Sequence, residues 1–487
     1  MFIGRETELA FLQGKYTAQN GQLVVFYGRR RVGKTETLRE FCKGKPHMFY
    51  SCREVSDAEQ LKAFSGRALK MGVPAARYVT AFENWEAAFG SVADFPSQGG
   101  KKLLVIDEFP YMCRANPAIP SILQAIWDEK LKDQDVMIIL CGSAMGFIEK
   151  KLLGEKNPLY GRATGIYKLN AMPFYDAARF FPGYSDDDKV MAYAVLGGIP
   201  HYLRQFDPNL PLADNICMNI LAKGCALYSE IEFQIRQELR EASMYNTIIE
   251  AIALGNTRLN DIHAKTRIDK AKISVYLKNL MELGIAEREF AMLSSVKERA
   301  ASTRGIYRLA DNFFRFWFDF VFANISELEA GDAEGICRHA VMPRLSEFAS
   351  LPFEDVCREY MRLMNRAGKL PFRFTRIGRW WGKASRLVDS GTGMSRETYE
   401  TEIDMMAVDG DESNCLVGEC KFKASAVGLA EYNQLIGKFN PTKGGARAPC
   451  HAYLFSRSGF TQALLDAASK NGLIHCISLH DMIACGA

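Results

Sequence analysis

The stretch QLVVFYGRRRVGKTETLREFC, Gln22 to Cys42, decides the reading of this chain. It opens on an apolar run, Gln22–Tyr27, of the length and composition of a buried strand. GRRRVGKT follows at once, Gly28 to Thr35, and ETLREFC then opens a helix. Strand, GxxxxGK[ST] loop and helix, in that order, are the context that a phosphate-binding loop requires. Gly28 and Gly33 let the backbone curl, so that successive N–H groups across Gly28, Arg29, Arg30, Arg31, Val32, Gly33, Lys34, Thr35 and Glu36 point at phosphate oxygens. The helix that follows presents its N-terminal dipole to the same anion. Lys34 supplies a point charge to the β- and γ-phosphates of ATP, and Thr35 offers a hydroxyl to Mg²⁺.

Outward from this loop, apolar runs recur at His47–Cys52, Lys102–Ile106 and Val136–Cys141, with helix-period stretches between them. That alternation predicts a parallel sheet covered by helices. LLVIDEF, Leu103 to Phe109, delivers Asp107 and Glu108 at the C-terminal end of a buried strand, where ligand chemistry concentrates in open α/β sheets. Asp107 is the expected Mg²⁺ carboxylate and Glu108 the residue that polarises the attacking water. VMIILCGS ends a third buried strand on Ser143. That serine either touches the γ-phosphate or the lytic water, or serves as a helix N-cap for Ala144 onward.

The bulk numbers bound the rest. A chain of 487 residues is too long for one ordinary core, and three or four units are expected. With 48% hydrophobic and 24% charged residues, the composition is that of soluble globular protein. No apolar run approaches the roughly 20 residues that cross a bilayer. The aromatic stretch Phe313 to Phe322 is interrupted by Arg315 and Asp319 and reads as a buried helix. MFIGRETELAFL has neither the basic nor the apolar region of a signal peptide. The 13 cysteines form no CxxC pair and no zinc-spaced Cys/His cluster, so reduced thiols in a cytoplasm and no structural metal site are expected. A net charge of +4 is too small to argue for nucleic acid by itself.

The set GRRRVGKT, LLVIDEFPYM, CGSAMGF, PLYGRATG and LGGIPHYL resembles the archaeal-type ATPase family, within the AAA+/STAND group of P-loop proteins. The resemblance covers roughly the first half of the chain, and the order of motifs matches. FIGRETEL is similar to the segment that precedes the P-loop in that group and packs near the adenine. The resemblance implies that Arg162, in PLYGRATG, reads the γ-phosphate, in cis or from a neighbouring subunit of a homo-oligomer. A guanidinium there stabilises charge on the transferring phosphoryl group, although a surface ion pair is the ordinary alternative for such a residue. It further implies that Pro200, in GGIP, lies against the adenine and couples a helical lid to the nucleotide.

Farther on, Met244–Ala253, Arg258–Thr266 and Lys270–Leu283 read as three helices, and IAEREF and GIYRL as two strands joined by a loop. This is the layout of a winged helix-turn-helix. Between Arg258 and Arg288 seven Lys/Arg stand against four Asp/Glu, with Lys270, Lys272, Ser274 and Lys278 on or near the exposed side of the third helix. Such a helix suits a DNA major groove. Winged helices also serve as protein-interaction modules, and a surplus of that size is modest.

In the C-terminal half, ETEIDMMAVD, Glu400 to Asp409, and NCLVGECKFK, Asn414 to Lys423, read as paired strands. Strand period puts Glu402 and Asp404 on one face, and Glu419 and Lys421 on one face of the next strand. Two carboxylates from adjacent strands can hold Mg²⁺, and a lysine beside them can orient water for attack on phosphate. The ordinary alternative is a solvated cross-strand pair. The D…ExK pattern resembles the PD-(D/E)xK nuclease superfamily, with Ile403 where the motif name has proline. The region from RIGRWWGKA to VGECKFK is also similar to a C-terminal domain of uncertain function that follows this type of ATPase. The resemblance implies Asp404, Glu419 and Lys421 as the nuclease core and Glu354 as the helix carboxylate that completes it. Trp380, Trp381, Arg376, Arg379 and Lys383 are candidates to line a nucleic-acid path.

The expected architecture is α/β: a P-loop NTPase sheet over residues 1–166, a helical lid over 167–237, a winged helix-turn-helix over 238–312 and a restriction-endonuclease-like domain over 313–487. The expected function is a cytoplasmic, non-membrane, Mg²⁺-dependent ATPase that engages DNA and carries a nuclease-like domain. The alternative is an ATP-dependent switch that binds DNA or protein, with a catalytically silent C-terminal domain. A nuclease core does not name its polymer, so RNA stands beside DNA.

Overall fold

The computed structural model describes residues 2–97, 99–155, 157–292, 305–389, 394–439 and 450–486, with the backbone alone for 384–389 and 394–397. The chain divides into two compact units. The first is Met1–Met172 with Ile199–His201, and the second is Pro173–Gly198 with Tyr202–Ala487.

The first unit is built on a parallel sheet of β1 (Gln22–Tyr27), β2 (His47–Ser51), β3 (Lys102–Asp107), β4 (Val136–Gly142) and β5 (Gly165–Lys168), in the order β2-β3-β4-β1-β5. Every residue of β1 and β4 is buried. A parallel strand covered on both faces has no solvent side, which is why these segments read as unbroken apolar runs. Leu23, Val25, Leu104, Ile106, Ile138 and Leu140 meet in one core with Phe64, Phe89 and Trp85. Each such aliphatic side chain contributes about 1.5–3 kcal/mol on burial. The strand order sets the carboxyl ends of β1, β4 and β3 side by side.

The sequence reading turns helical from Tyr167, and here the structure corrects it. Gly165–Lys168 is a fifth strand, parallel to β1, with Tyr167 stacked on Phe26 at 5.7 Å. Four residues of alternating half-burial at a sheet edge are too few for periodicity to register.

In the second unit, the helices Ala242–Ala253, Leu259–Thr266 and Lys270–Glu282 precede an antiparallel pair, β6 (Ala286–Glu289) and β7 (Ile306–Leu309). Ile273, Leu277 and Leu280 are buried, whereas Lys270, Lys272, Ser274, Val275 and Lys278 are exposed. The segment read as the wing loop includes 293–304, which lies outside the described residues. A second five-stranded sheet follows: β8 (Arg376–Asp389), β9 (Met394–Val408), β10 (Cys415–Lys421), β11 (Cys450–Ser456) and β12 (Ile474–Ser478), in the order β12-β11-β10-β9-β8. It is antiparallel from β8 to β10 and parallel from β10 to β12. The 22-residue helix Leu345–Arg366 and the helix Leu429–Phe439 belong to the same unit. Among the described residues no helix is long and apolar enough to cross a membrane.

Glu359 on the long helix accepts hydrogen bonds from the backbone N–H of Phe174 at 2.9 Å and of Tyr175 at 3.5 Å, at the start of the helix Phe174–Ala178. Burial nevertheless pushes its carboxyl up to about 7 from 4.5. The folded form therefore holds a proton that the unfolded chain has released. Its stabilising effect is present below about pH 4.5 and is lost as the pH rises through about 7. A melting-temperature series across this window is expected to fall with pH, and to fall less steeply in Glu359→Gln. Equal slopes in the two proteins would show that Glu359 does not carry the dependence.

Candidate functional site

The loop after β1 follows from local constraints. A Cβ at Gly28 would stand 2.2 Å from the carbonyl oxygen of Leu169, so no larger residue fits where the chain leaves β1. Gly33 has φ +92° and Arg31 φ 68°, both left-handed. Val32 is buried, Arg29 and Arg30 are half-buried, and Arg31 and Glu36 are exposed. Lys34 is 6% exposed and rests its Nζ on the Arg29 carbonyl at 2.8 Å. Burial lowers its pKa, while Glu108 and Asp107 pull the other way. Arg5, 4% exposed and at φ 72°, donates to the carbonyls of Val32 and Asn170, each at 2.8 Å. It thus ties the FIGRETEL segment to the outer side of the loop. The sequence reading names this segment but not the arginine, whose only signal is its place beside Gly4.

Thr35 Oγ1 donates to Asp107 Oδ2 at 2.8 Å. Asp107 is 4% exposed, and its other oxygen accepts the Glu108 N–H at 3.0 Å. Glu108 itself sits at φ 51°, in the left-handed region that a non-glycine residue rarely occupies, immediately before the helix Phe109–Ala115. From there its carboxylate reaches Ser143 Oγ, 3.1 Å from both oxygens. Ser143 is thus engaged with Glu108 and does not cap the following helix. The residue preceding the next helix, Met145–Phe147, is Ala144, and no side chain caps it. Gly142 keeps the two strand ends close, because a Cβ there would stand 2.7 Å from Pro110.

Arg162 lies on Asp128, with Nη2–Oδ2 at 3.1 Å and Nε–Oδ2 at 3.2 Å, both side chains about one-third exposed. Its guanidinium holds the Asp128 carboxyl below the usual carboxylate range. Pro200 Cγ lies 3.6 Å from the position a Cβ would take on Gly33, and the neighbouring His201 ring meets Arg31. Residues far apart in sequence thus join the loop within one unit.

The C-terminal sheet forms a second constellation. Asp404 on β9 accepts the Cys420 N–H at 2.9 Å, which sets it beside Glu419 and Lys421 on β10. Burial, then the Glu419 charge, raises the Asp404 pKa. Glu354 on the long helix is raised to about 7 by burial and by Asp404, even though Arg379 Nε stands 3.3 Å and Arg358 Nη1 3.5 Å from Oε2. Glu419, 2% exposed, carries two ammonium groups: Lys421 at 2.6 Å on Oε1, and Lys438 at 3.1 Å from both oxygens. The sequence reading missed Lys438, which arrives from the helix Leu429–Phe439. Among the described residues no three His, Cys, Asp or Glu side chains form a ready metal-ligand set. Two of the expected nucleic-acid contacts need correction. Trp380 is buried in the sheet's core, and Arg379 is an internal hub that pairs with Glu289, Glu354 and Glu402. A cation compensated by three carboxylates has little left for phosphate. Arg376 pairs with Glu412, while Trp381 stays half-exposed and Lys383 exposed.

Residues 2–206 match an ATPase domain predominantly from Archaea, and residues 317–432 match a domain described as archaeal and bacterial proteins of unknown function. An uncharacterized protein of Methanocaldococcus jannaschii is 34% identical over 425 residues, which is 87% of this chain and 88% of that protein. Among solved structures, similarity extends to a Walker-type ATPase of Pyrococcus abyssi, at 19% identity and TM-score 0.47, over 65% of this chain and 96% of that one. It extends as well to the Aeropyrum pernix ORC2 protein in complexes with ADPNP and ADP, at 13% identity and TM-score 0.37, over 68% and 95% of the two chains.

Proposed function

Because the chain belongs to one family with the Methanocaldococcus jannaschii relative and carries, over residues 2–206, an ATPase domain predominantly from Archaea, we propose that it binds ATP with Mg²⁺, hydrolyses it, and uses the cycle to act on DNA. The observation that carries this reading is the pair Thr35–Asp107 at 2.8 Å with Glu108 clasped by Ser143 beside it. A hydroxyl and a carboxylate at that spacing are hard oxygen donors of the kind Mg²⁺ takes. When bound, the ion neutralises charge on the β- and γ-phosphates. Lys34 leaves the Arg29 carbonyl for a phosphate oxygen. Glu108 polarises the attacking water, and Ser143 holds its carboxylate in line. Arg162 exchanges Asp128 for the γ-phosphate, in cis or across a homo-oligomer, and Pro200 borders the adenine.

Around this engine the reading assigns the four parts 1–166, 167–237, 238–312 and 313–487 as ATPase, helical lid, winged helix and nuclease-like domain. The exposed Lys270, Lys272 and Lys278 on the helix Lys270–Glu282 favour contact with DNA phosphates. In the C-terminal part, Asp404 and Glu419 are the carboxylates for a Mg²⁺ ion, Glu354 is the helix carboxylate, and Lys421 orients the hydrolytic water. A specific observation favours the second reading, a binding switch with a silent C-terminal domain: Glu354 and Glu419 each already hold two cationic side chains.

Incubation of the full chain with supercoiled and linear DNA, with Mg²⁺ and with or without ATP, beside Lys421→Ala, separates the two. The enzyme reading expects cleavage in the parent and a loss of 10²-fold or more in the variant, the size typical of an acid–base contribution. Intact DNA after incubation with a chain that turns over ATP would favour the switch.

A further inference from the structure

We propose that Lys438 is an internal counter-cation on Glu419 which a divalent metal ion must displace, so that the metal enters the C-terminal site by exchange with an ammonium group. The proposal rests on reading Asp404 and Glu419 as metal ligands.

The geometry is that of a cap. Lys438 Nζ is equidistant from the two Glu419 oxygens, 3.1 Å from each. This is the approach by which a cation is held in a bidentate fashion by a carboxylate. Lys421, two residues away on the same strand, takes Oε1 alone at 2.6 Å. Glu419 is 2% exposed, so water does not compensate it and the two lysines do. Lys421 and Lys438 keep 30% and 19% of their side chains exposed. Their heads can therefore leave for solvent at modest cost, because long lysine stems let the charged end reach water.

Charge arithmetic gives the direction. Two carboxylates, Asp404 and Glu419, face two ammonium groups, and the formal sum is zero without a metal. A divalent ion added to the intact cluster would leave two uncompensated positive charges in a largely buried place. With Lys438 swung out, the surplus falls to one and Glu419 Oε2 is open, while Lys421 remains on Oε1. Lys421 stays on its own strand. Here the carboxylates of Glu354 and Glu419 are satisfied by arginines and lysines.

The test is Mn²⁺ binding to the nucleotide-free full chain, followed by the electron paramagnetic resonance of the free ion. Lys438→Met and Lys438→Gln are compared with the parent, and Glu419→Gln gives the background. Removal of one charge-assisted contact of this partly exposed kind is expected to tighten the Glu419-dependent Mn²⁺ affinity about tenfold, while Lys438→Arg keeps the parent value. Unchanged or weaker Mn²⁺ binding in both neutral variants, with melting temperatures near that of the parent, would overturn the proposal. So would the absence of any Glu419-dependent Mn²⁺ site in all of the proteins. DNA cleavage is scored on the same samples. Tightened Mn²⁺ binding without cleavage keeps the exchange and sinks the nuclease reading, and cleavage with unaltered Mn²⁺ affinity does the reverse.

Discussion

Lys34→Ala is expected to abolish ATP binding, with Kd rising at least a hundredfold. The Lys34 ammonium is buried and held by a backbone carbonyl, not by a carboxylate. It is therefore poised for an anion, with Asp107 and Glu108 acting on its charge only through space. A charge-assisted contact of this kind in a low-dielectric site is worth about 3 kcal/mol, or roughly two decades in affinity. The fold should survive, because the curl of the loop is set by Gly28, Gly33 and the Arg5 anchor and not by the lysine. Nucleotide-induced thermal stabilisation is a direct readout, since a ligand stabilises by RT ln(1 + [L]/Kd). The parent should melt higher with ATP and Lys34→Ala should not. An equal upward shift in both would remove the phosphate role from Lys34.

Glu108→Gln is expected to keep ATP affinity and lose turnover, by about 10²- to 10³-fold in kcat. Glutamine preserves volume and still reaches the Ser143 hydroxyl, so the left-handed turn at Glu108 has no reason to change. What disappears is the negative charge that draws a proton from water. Binding depends on Lys34, Thr35 and Asp107, which the substitution leaves alone. Phosphate release under single-turnover conditions isolates the chemical step from product release. A normal rate would move the water-polarising role to another residue.

The parts of the fold that were legible in the sequence are those where burial is two-sided. β1 and β4 are apolar runs buried throughout and β3 is buried beyond Lys102, and the site residues Gly28, Asp107 and Ser143 stand at or immediately after their ends. β5 was not legible, because its four residues alternate and its stability comes from pairing with β1, a contact 141 residues apart in sequence, Val24 to Gly165. β8 was hidden for a different reason. RIGRWWGKASRLVD mixes cationic and aromatic residues, which suggested a surface for nucleic acid. Inside the fold, Arg379 is neutralised by carboxylates from three separate segments, at Glu289, Glu354 and Glu402. No local pattern announces partners that distant. Within the candidate site, Lys34 and Thr35 follow from the spacing of the loop motif, and Asp107 and Glu108 from their place at the end of a buried strand downstream of it. Arg5 and Lys438 do not, since a lone basic residue at the start of one helix or near the end of another carries no motif.

The direct test of the central claim is steady-state phosphate release by the purified full chain in Mg²⁺·ATP, repeated in EDTA and with Glu108→Gln. The account predicts turnover that requires the divalent ion and falls by two to three decades in the variant. ATP that binds, as Lys34 demands, with no phosphate released by the parent would contradict hydrolysis and leave a nucleotide-loaded binding protein in its place.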